Sequence, residues 1–572
     1  MRRRLFSEGG IVFSLSASLY LTCGAILAFH FHSFFGDAVS RMANGFYILY
    51  SRDPHLAAVG FVWNPLQSMA DVVPLLLYHL WPPLATRDMA GTIVSSLCMA
   101  GATYQVLATF REWGIPRFPR LVLAAVFAVN PMVIYYGSNG MSEALYLFTL
   151  VSVCRYLARW LRDDDLRSLT FAGVALGLCY LVRNEAVAPA VTAGALVFAL
   201  SMHRAQGFAR ARIMSGLTDL TVFLFPFVTS FVGWAVVSYV ITGSLFNQFT
   251  SVYGTTAQIR AGAGGGVVHL GPALRLEVEA LLYLAPLLVV VAALALMTAV
   301  RRRDSLILVP LSVVASGLGF DLVAYVSGGI IWSYRYLIAA VPVEVLLVGV
   351  VLATARTRTL KGTIRSSTRF DLGKRAGRTG TRFRQGLGTA ALAGVALLLL
   401  GPSLPTTAAG MFNPRVGYEE TRTLGYVLHS KWSSLDRSYS QNFQKSQDIA
   451  SYIAGLRLPD GDLVVDNSSP CIPMAIVLSP NPKVFVIPND RDFQKILADP
   501  VTFHARYILV PPPSGQGSLI ATNHQYPSLY DSGDNNSGQR FATLTHSFTA
   551  GGGVCPAFRL YHVTQDSGAA PG

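Results

Sequence analysis

The stretch Trp63-Asn64-Pro65-Leu66-Gln67-Ser68-Met69-Ala70-Asp71-Val72-Val73-Pro74-Leu75-Leu76-Leu77-Tyr78-His79-Leu80-Trp81 decides how the rest of the chain is read. Its run Pro65–Trp81 approaches the ~20 apolar residues that a membrane-crossing helix needs. Yet it carries Gln67, Asp71, Pro74 and His79, with Asn64 just ahead. Polar groups at that density make a costly span. An amphipathic helix lying in the membrane interface accommodates them. The choice has a long reach, because a crossing here would invert every later loop.

On either side of this stretch the chain is greasy. Of 572 residues, 52% are hydrophobic and only 13% are charged, against about 25% charged in ordinary soluble domains. Disorder, a coiled coil and an ordinary cytosolic enzyme are excluded, and a polytopic membrane protein is implied. Apolar runs lie near 11–29, 90–110, 119–138, 142–160, 168–185, 187–202, 217–241, 274–299, 305–328, 337–355 and 386–404, so about eleven spans are expected. The first run follows Met1-Arg2-Arg3-Arg4 as a signal peptide would. It is long and lacks a small-x-small cleavage site, which makes it a retained helix with a cytoplasmic N-terminus.

The net charge is nevertheless +14, from 45 Lys plus Arg against 31 Asp plus Glu. With 65–81 held out of the membrane, the cations sort to one side. Arg111, Arg117 and Arg120 share a connection, as do Arg155, Arg159, Arg162 and Arg167, then Arg204, Arg210 and Arg212, then Arg301, Arg302 and Arg303. The richest loop runs from Arg356 to Arg384, with Arg358, Lys361, Arg365, Arg369, Lys374, Arg375, Arg378 and Arg382. All fall on the cytoplasmic side, as the positive-inside rule requires. The surplus is therefore a topology signal, and no nucleic-acid partner is expected.

Residues 32–89 then form a long outer loop, and 405–572 lie outside as well. Beyond Pro405 the composition turns polar, with Asp460-Gly461-Asp462 and Ser532–Gly538 as turn clusters. Leu463–Val465, Val484–Ile487 and Tyr507–Val510 read as strands, and Gln444–Leu456 and Arg491–Leu497 as helices, which predicts a small α/β domain with a partly parallel sheet. It shows no dinucleotide fingerprint. Of six cysteines, Cys23, Cys98, Cys154 and Cys179 sit in spans and act as small hydrophobes. Cys471 and Cys555 lie outside, where a disulfide and two buried thiols are equally open readings.

Ionisable groups at membrane level are functional suspects. Asp37 stands where the first span emerges on the outer side; it is either a catalytic carboxylate or the N-cap of a helix through Ala43–Leu49. Glu143 begins the fourth span on the same side, where it also suits a helix N-terminus. Arg183 and Glu185 fall where the fifth and sixth spans meet. Arg335, followed by Tyr336, opens the tenth. Arginine suits phosphate, although either one also suits snorkelling to headgroups. Asp321 is a candidate counter-ion. His55, with Arg52 and Asp53, is a weaker candidate in the outer loop. The glycine-rich Arg260–Gly266 reads as a substrate-gating loop.

Taken together, these residues resemble the GT-C superfamily of membrane glycosyltransferases, which includes protein O-mannosyltransferases, lipid A aminoarabinose transferases and arabinofuranosyltransferases. The resemblance runs across residues 1–400. It rests on Gly36-Asp37 in a long first outer loop, Trp63-Asn64-Pro65-Leu66, Pro131 followed by Ser142-Glu143, Leu181-Val182-Arg183-Asn184-Glu185, and Arg335-Tyr336 ahead of Pro342. It implies a GT-C-like transmembrane catalytic domain (1–404) and a C-terminal extracytoplasmic α/β domain (405–572) in a multi-pass plasma-membrane protein. It also implies inverting transfer of a sugar from a polyprenyl-phosphate donor to a cell-envelope glycan, lipid or protein acceptor. Asp37 and Glu143 would be catalytic, Arg335 and Arg183 would bind donor phosphate, and Tyr336, Asp321, His55 and Glu185 would contact substrate. Some relatives hold a divalent cation on an acidic pair; Ser142-Glu143 lacks the second acid, so no metal is expected. The mannosyltransferases carry Asp-Glu in the first loop where this chain has Asp37-Ala38, and the outer terminal domain is more like that of arabinofuranosyltransferases. The competing functions are a transporter or flippase, and a polymerase of lipid-linked saccharides.

Overall fold

The computed structural model describes residues 7–261, 269–353, 378–428, 437–535, 540–551 and 555–564. Most of the Arg356–Arg384 loop and the glycine-rich part of 260–266 lie outside the described residues.

The deciding stretch forms a helix of only 10 residues, Leu66–Leu75. At about 1.5 Å per residue this covers half of a ~30 Å hydrocarbon core, so it does not cross. Its amphipathicity is turned inside out. Gln67, Ser68 and Asp71 are buried against the protein, while Met69, Val73, Leu76, Leu77, Leu80 and Trp81 are exposed, as an interfacial helix offering its apolar side to lipid requires. It packs under the Gly36–Tyr50 helix so closely that a Cβ on Gly45 would lie 2.8 Å from the Ser68 carbonyl oxygen.

Helices occupy all eleven apolar runs. Among the described residues eight helices are long and apolar enough to cross a membrane, and the count rises to ten when two bent pairs are each taken as one span. Those pairs are Arg117–Ala128 with Pro131–Gly137, bent by 63°, and Leu270–Leu284 with Leu288–Arg302, bent by 76°. Pro131 explains the first bend, since proline opens helices readily and cannot continue one. The remaining run is the shorter apolar helix Leu166–Val182. The chain is thus a polytopic α-helical membrane protein. Arginines from the cation-rich connections are satisfied locally: Arg120 pairs with Glu8 at 2.7 Å, and Arg155 donates to Gln105 at 2.7 Å and pairs with Glu112.

The polar C-terminal region holds a five-stranded sheet of order β2-β1-β3-β5-β4. β1 (Leu463–Val465), β2 (Phe485–Val486) and β3 (Tyr507–Val510) are parallel, as their helical connections demand. β4 (Ala542–Phe548) and β5 (Phe558–Val563), which the sequence reading passed over, add an antiparallel edge. Cys471 and Cys555 are in side-chain contact as free thiols. An alternating set of charges ties this region to the first long loop. Arg52 pairs with Asp490 at 3.1 Å and with Asp492, and Asp53 accepts from the Arg491 backbone and guanidinium. Asn489 donates to the Ala58 carbonyl at 2.6 Å. Farther along, the Tyr253 hydroxyl donates to Asp466 at 2.6 Å.

Burial pushes the Asp71 carboxyl up to about 8. The unfolded chain releases that proton near pH ~4, so folded stability contributed by neutral Asp71 is lost as pH climbs from about 4 towards about 8. Asp71→Asn, which can still accept from Gln67, is expected to flatten its share of that slope in thermal unfolding of the detergent-solubilised protein.

Candidate active site

Asp37 does not cap its helix. The helix starts at Gly36 with Phe35 as N-cap, and Asp37 sits in the first turn. There its Oδ2 accepts from Nη2 of Arg335 at 2.8 Å. Arg335 comes from a short 3-10 turn, Tyr334–Ala339, just ahead of the apolar helix Ala340–Leu352. That turn is too tight and buried for a snorkelling residue, and the guanidinium points inward.

Glu143 likewise does more than favour a helix dipole. It is the first residue of Glu143–Asp163, fully buried, and accepts from Nη1 of Arg183 at 2.6 Å. Arg183 leaves the Leu166–Val182 helix in an extended conformation and donates Nε to Glu185 at 2.8 Å. Nε of Arg335 lies 3.7 Å from Glu143, which joins the two pairs into one network. Both guanidiniums lean on the Tyr336 ring, at 5.0 Å for Arg183 and 5.4 Å for Arg335. Tyr146 backs Arg183 and Phe35 backs Arg335. Aromatic faces hold a cation in place without consuming its hydrogen-bond donors.

Asp37, Glu143, Arg183, Glu185, Arg335 and Tyr336 therefore converge. Asp321 does not join them directly. It makes no close ion pair among the described residues, although the charge of Arg183 acts on it, and it lines a small neighbouring cavity with Glu277, Trp332, Ser333 and Tyr336. His55 stands apart in the joint with the C-terminal region, its Nδ1 2.7 Å from the Asp53 carbonyl.

Three members of the site escaped the sequence reading. Arg41, one helical turn beyond Asp37, is buried over the Trp63 ring with Nη1 unpartnered. Its i+4 spacing from Asp37 was the available signal. Glu419 and Glu420 open the helix Tyr418–Leu428, beyond the last apolar run. Glu419 lies 3.4 Å from Nε of Arg335 and accepts from the Ser333 hydroxyl at 2.6 Å. Glu420 is buried and accepts from Tyr136 at 2.5 Å. No local pattern sets these two glutamates apart from surface acids.

The electrostatics sort the acids. Burial works to raise the Asp37 carboxyl, but the guanidiniums of Arg335 and Arg41 outweigh it and hold Asp37 below the usual carboxylate range. Glu419 goes the other way: burial raises it, and Arg335 only partly offsets this. Burial pushes Glu420 up to about 7. Asp37 keeps 36% of its side chain exposed while Arg335 keeps 9%, so the carboxylate forms the mouth of the site and the cation its floor. Among the described residues no group of three or more His, Cys, Asp or Glu side chains is placed to hold a metal ion.

No family model matches the chain, and no curated protein matches it. Solved structures do. ArnT from Cupriavidus metallidurans bound to undecaprenyl phosphate aligns at TM-score 0.52 and 12% identity, over 98% of this chain and 99% of that one. The mycobacterial arabinofuranosyltransferase AftD aligns at TM-score 0.42 and 14% identity, over 96% of this chain and 41% of that one. The likeness to ArnT extends from end to end and shows a shared fold, the GT-C fold expected from the sequence.

Removing one partner of a buried ion pair strands the other, at a cost of about 3–5 kcal/mol. Arg183→Ala, which leaves Glu143 and Glu185 facing each other, is expected to destabilise the protein by about that amount in thermal or denaturant unfolding. Arg183→Lys should recover only part of it, because lysine lacks the planar fork.

Proposed function

We propose that this chain is an inverting glycosyltransferase of the plasma membrane. It takes a sugar from a polyprenyl-phosphate donor and passes it to a hydroxyl of a cell-envelope acceptor at the outer face. The observation that carries this reading is the Asp37–Arg335 pair: a half-exposed carboxylate bonded to a buried guanidinium, 2.8 Å apart, at the end of a membrane bundle. End-to-end likeness of fold to a structure bound to undecaprenyl phosphate supports it.

In this reading the donor phosphate sits against Arg335 and Arg183, whose planar donors suit its oxygens. The acceptor hydroxyl approaches C1 of the sugar from the opposite side and gives its proton to Asp37. The new C1–O bond forms as the bond to the phosphate oxygen breaks, which inverts C1. The charge that develops on the departing phosphate meets cations already fixed by Glu143, Glu185 and Tyr336, so little reorganisation is needed at that moment. Arg335 also sets the timing. While paired with Asp37 it keeps that carboxylate a weak base; a phosphate that draws on Arg335 loosens the pair and lets Asp37 accept a proton.

We further propose that 1–404, joined by Glu419 and Glu420 from Tyr418–Leu428, forms the catalytic unit and that the sheet-bearing part of 405–572 helps to hold the acceptor glycan. Asp37 is followed by Ala38 in place of a second acid, which argues against a mannosyl donor and a protein acceptor. Transport fits less well, because the charges gather at one end of the bundle rather than at its midplane.

In proteoliposomes given radiolabelled polyprenyl-phosphate sugars and an envelope glycan, Asp37→Asn is expected to cut transfer by at least ~10³-fold and Arg335→Ala by about 10²–10³-fold. Transfer by Asp37→Asn at the native rate would remove the general base from the mechanism.

A further inference from the structure

Glu419, like Arg41 and Glu420, has no task in that mechanism. Glu419 reaches Arg335 from beyond the last span, at Nε, on the same edge of the guanidinium as the Nη2 that Asp37 holds. Its Oε2 lies 3.4 Å from Nε of Arg335 and accepts from the Ser333 hydroxyl at 2.6 Å. Three carboxylates, from Asp37, Glu419 and Glu143, therefore crowd Arg335, one of the two cations that the donor phosphate uses. An anion entering there raises the negative charge of a pocket already rich in acids. Such a pocket takes up a proton on whichever carboxylate is least stabilised as an anion.

We propose that Glu419 is the proton carrier of the leaving-group side: it yields Arg335 to the donor phosphate, takes up a proton as it does so, and hands that proton to the phosphate oxygen when the bond to the sugar breaks. The proposal rests on the glycosyl-transfer reading. The step balances. The acceptor oxygen forms its bond to C1 and its proton passes to Asp37. The C1–O–P bond breaks, its electron pair stays on the phosphate oxygen, and the proton of Glu419 moves to that oxygen. The product leaves as a monoester monoanion, Glu419 returns to carboxylate beside Arg335, and Asp37 loses its proton to solvent.

The surroundings suit the task. The second ionisation of a phosphate monoester lies near pKa ~6, within reach of a buried carboxylic acid. Burial raises Glu419 while Arg335 and Arg41 hold Asp37 down. Two acids pushed apart in this way divide into proton donor and proton acceptor. The groups that face Glu419 are Arg335 and Ser333 on the turn before Ala340–Leu352, Asp37 on Gly36–Tyr50 and Glu143 on its own helix. Glu420 beside it and Tyr136 on Pro131–Gly137 complete the set. Of these, Arg335 and the Ser333 hydroxyl favour the anion, and the others favour the acid.

The test uses the full-length protein in nanodiscs with a prenyl methyl phosphodiester, whose single charge does not titrate near neutrality. Calorimetry in two buffers of different ionisation enthalpy counts protons taken up on binding. The native protein is expected to take up as much as one proton per diester bound, and Glu419→Gln none, with affinity no weaker than native. Ser333→Ala, which removes a donor to the anion, should move the uptake to higher pH. In the transfer assay Glu419→Gln should lower kcat about 10²-fold, leave the donor KM within about 3-fold, and erase the alkaline limb of the kcat–pH profile. Unchanged proton uptake, or a native alkaline limb, in Glu419→Gln overturns the proposal. Native-rate transfer by Glu419→Gln, with Asp37→Asn inactive, overturns it and leaves glycosyl transfer standing. Proton-linked binding of the diester without transfer from any polyprenyl-phosphate sugar overturns glycosyl transfer instead. No binding of the diester at all overturns both.

Discussion

The structure turns on a shortage of cation. In one buried pocket Arg335 is shared by Asp37, Glu143 and Glu419, while Arg183 is shared by Glu143 and Glu185. Ion pairs of this kind do little for stability when their desolvation is counted. They do fix position. Each guanidinium is held by more than one carboxylate and braced by aromatic rings, so neither has a slack rotamer to lose. The helices that supply these residues are distant in sequence, and the bundle must close correctly for any one of the charges to be tolerated at that depth.

That constraint explains which parts of the molecule were legible in the sequence. The eleven helical runs were, because hydrocarbon thickness imposes a length that composition cannot disguise. The short Leu66–Leu75 helix was legible for the opposite reason, since Gln67 and Asp71 could not be paid into lipid. Asp37, Glu143, Arg183 and Arg335 stood out as charges that topology left unexplained, and the fold brings all four together. What the sequence could not supply was partnership. Asp321 makes no close ion pair among the described residues, whereas Glu419 looks like any acid in a polar stretch and lies 3.4 Å from Arg335. Pairing across such separations depends on how helices cross, which is not a property of any window of residues.

The C-terminal region shows the same division. β1 and β3 were readable as short apolar runs buried on both faces, the signature of a parallel sheet. β4 alternates Ala542-Thr543-Leu544-Thr545-His546-Ser547-Phe548, with several outward-facing residues exposed. Such an edge strand is polar enough to pass for loop, although its period-two alternation was there to be counted.

The helix that carries Glu419 lies beyond the last apolar run, on the stretch of chain that leads to the sheet. The sheet, in turn, is fastened to the loop after Asp37's helix by Arg52, Asp53 and their partners at 490–492. The seam between membrane bundle and terminal region therefore passes through the charged pocket rather than beside it. A chimera joined at the end of the last span would exchange part of the charged pocket along with the appendage. Grafting a foreign terminal region onto this bundle then alters the pocket as well as the sheet, and a workable junction lies after the helix that ends at Leu428.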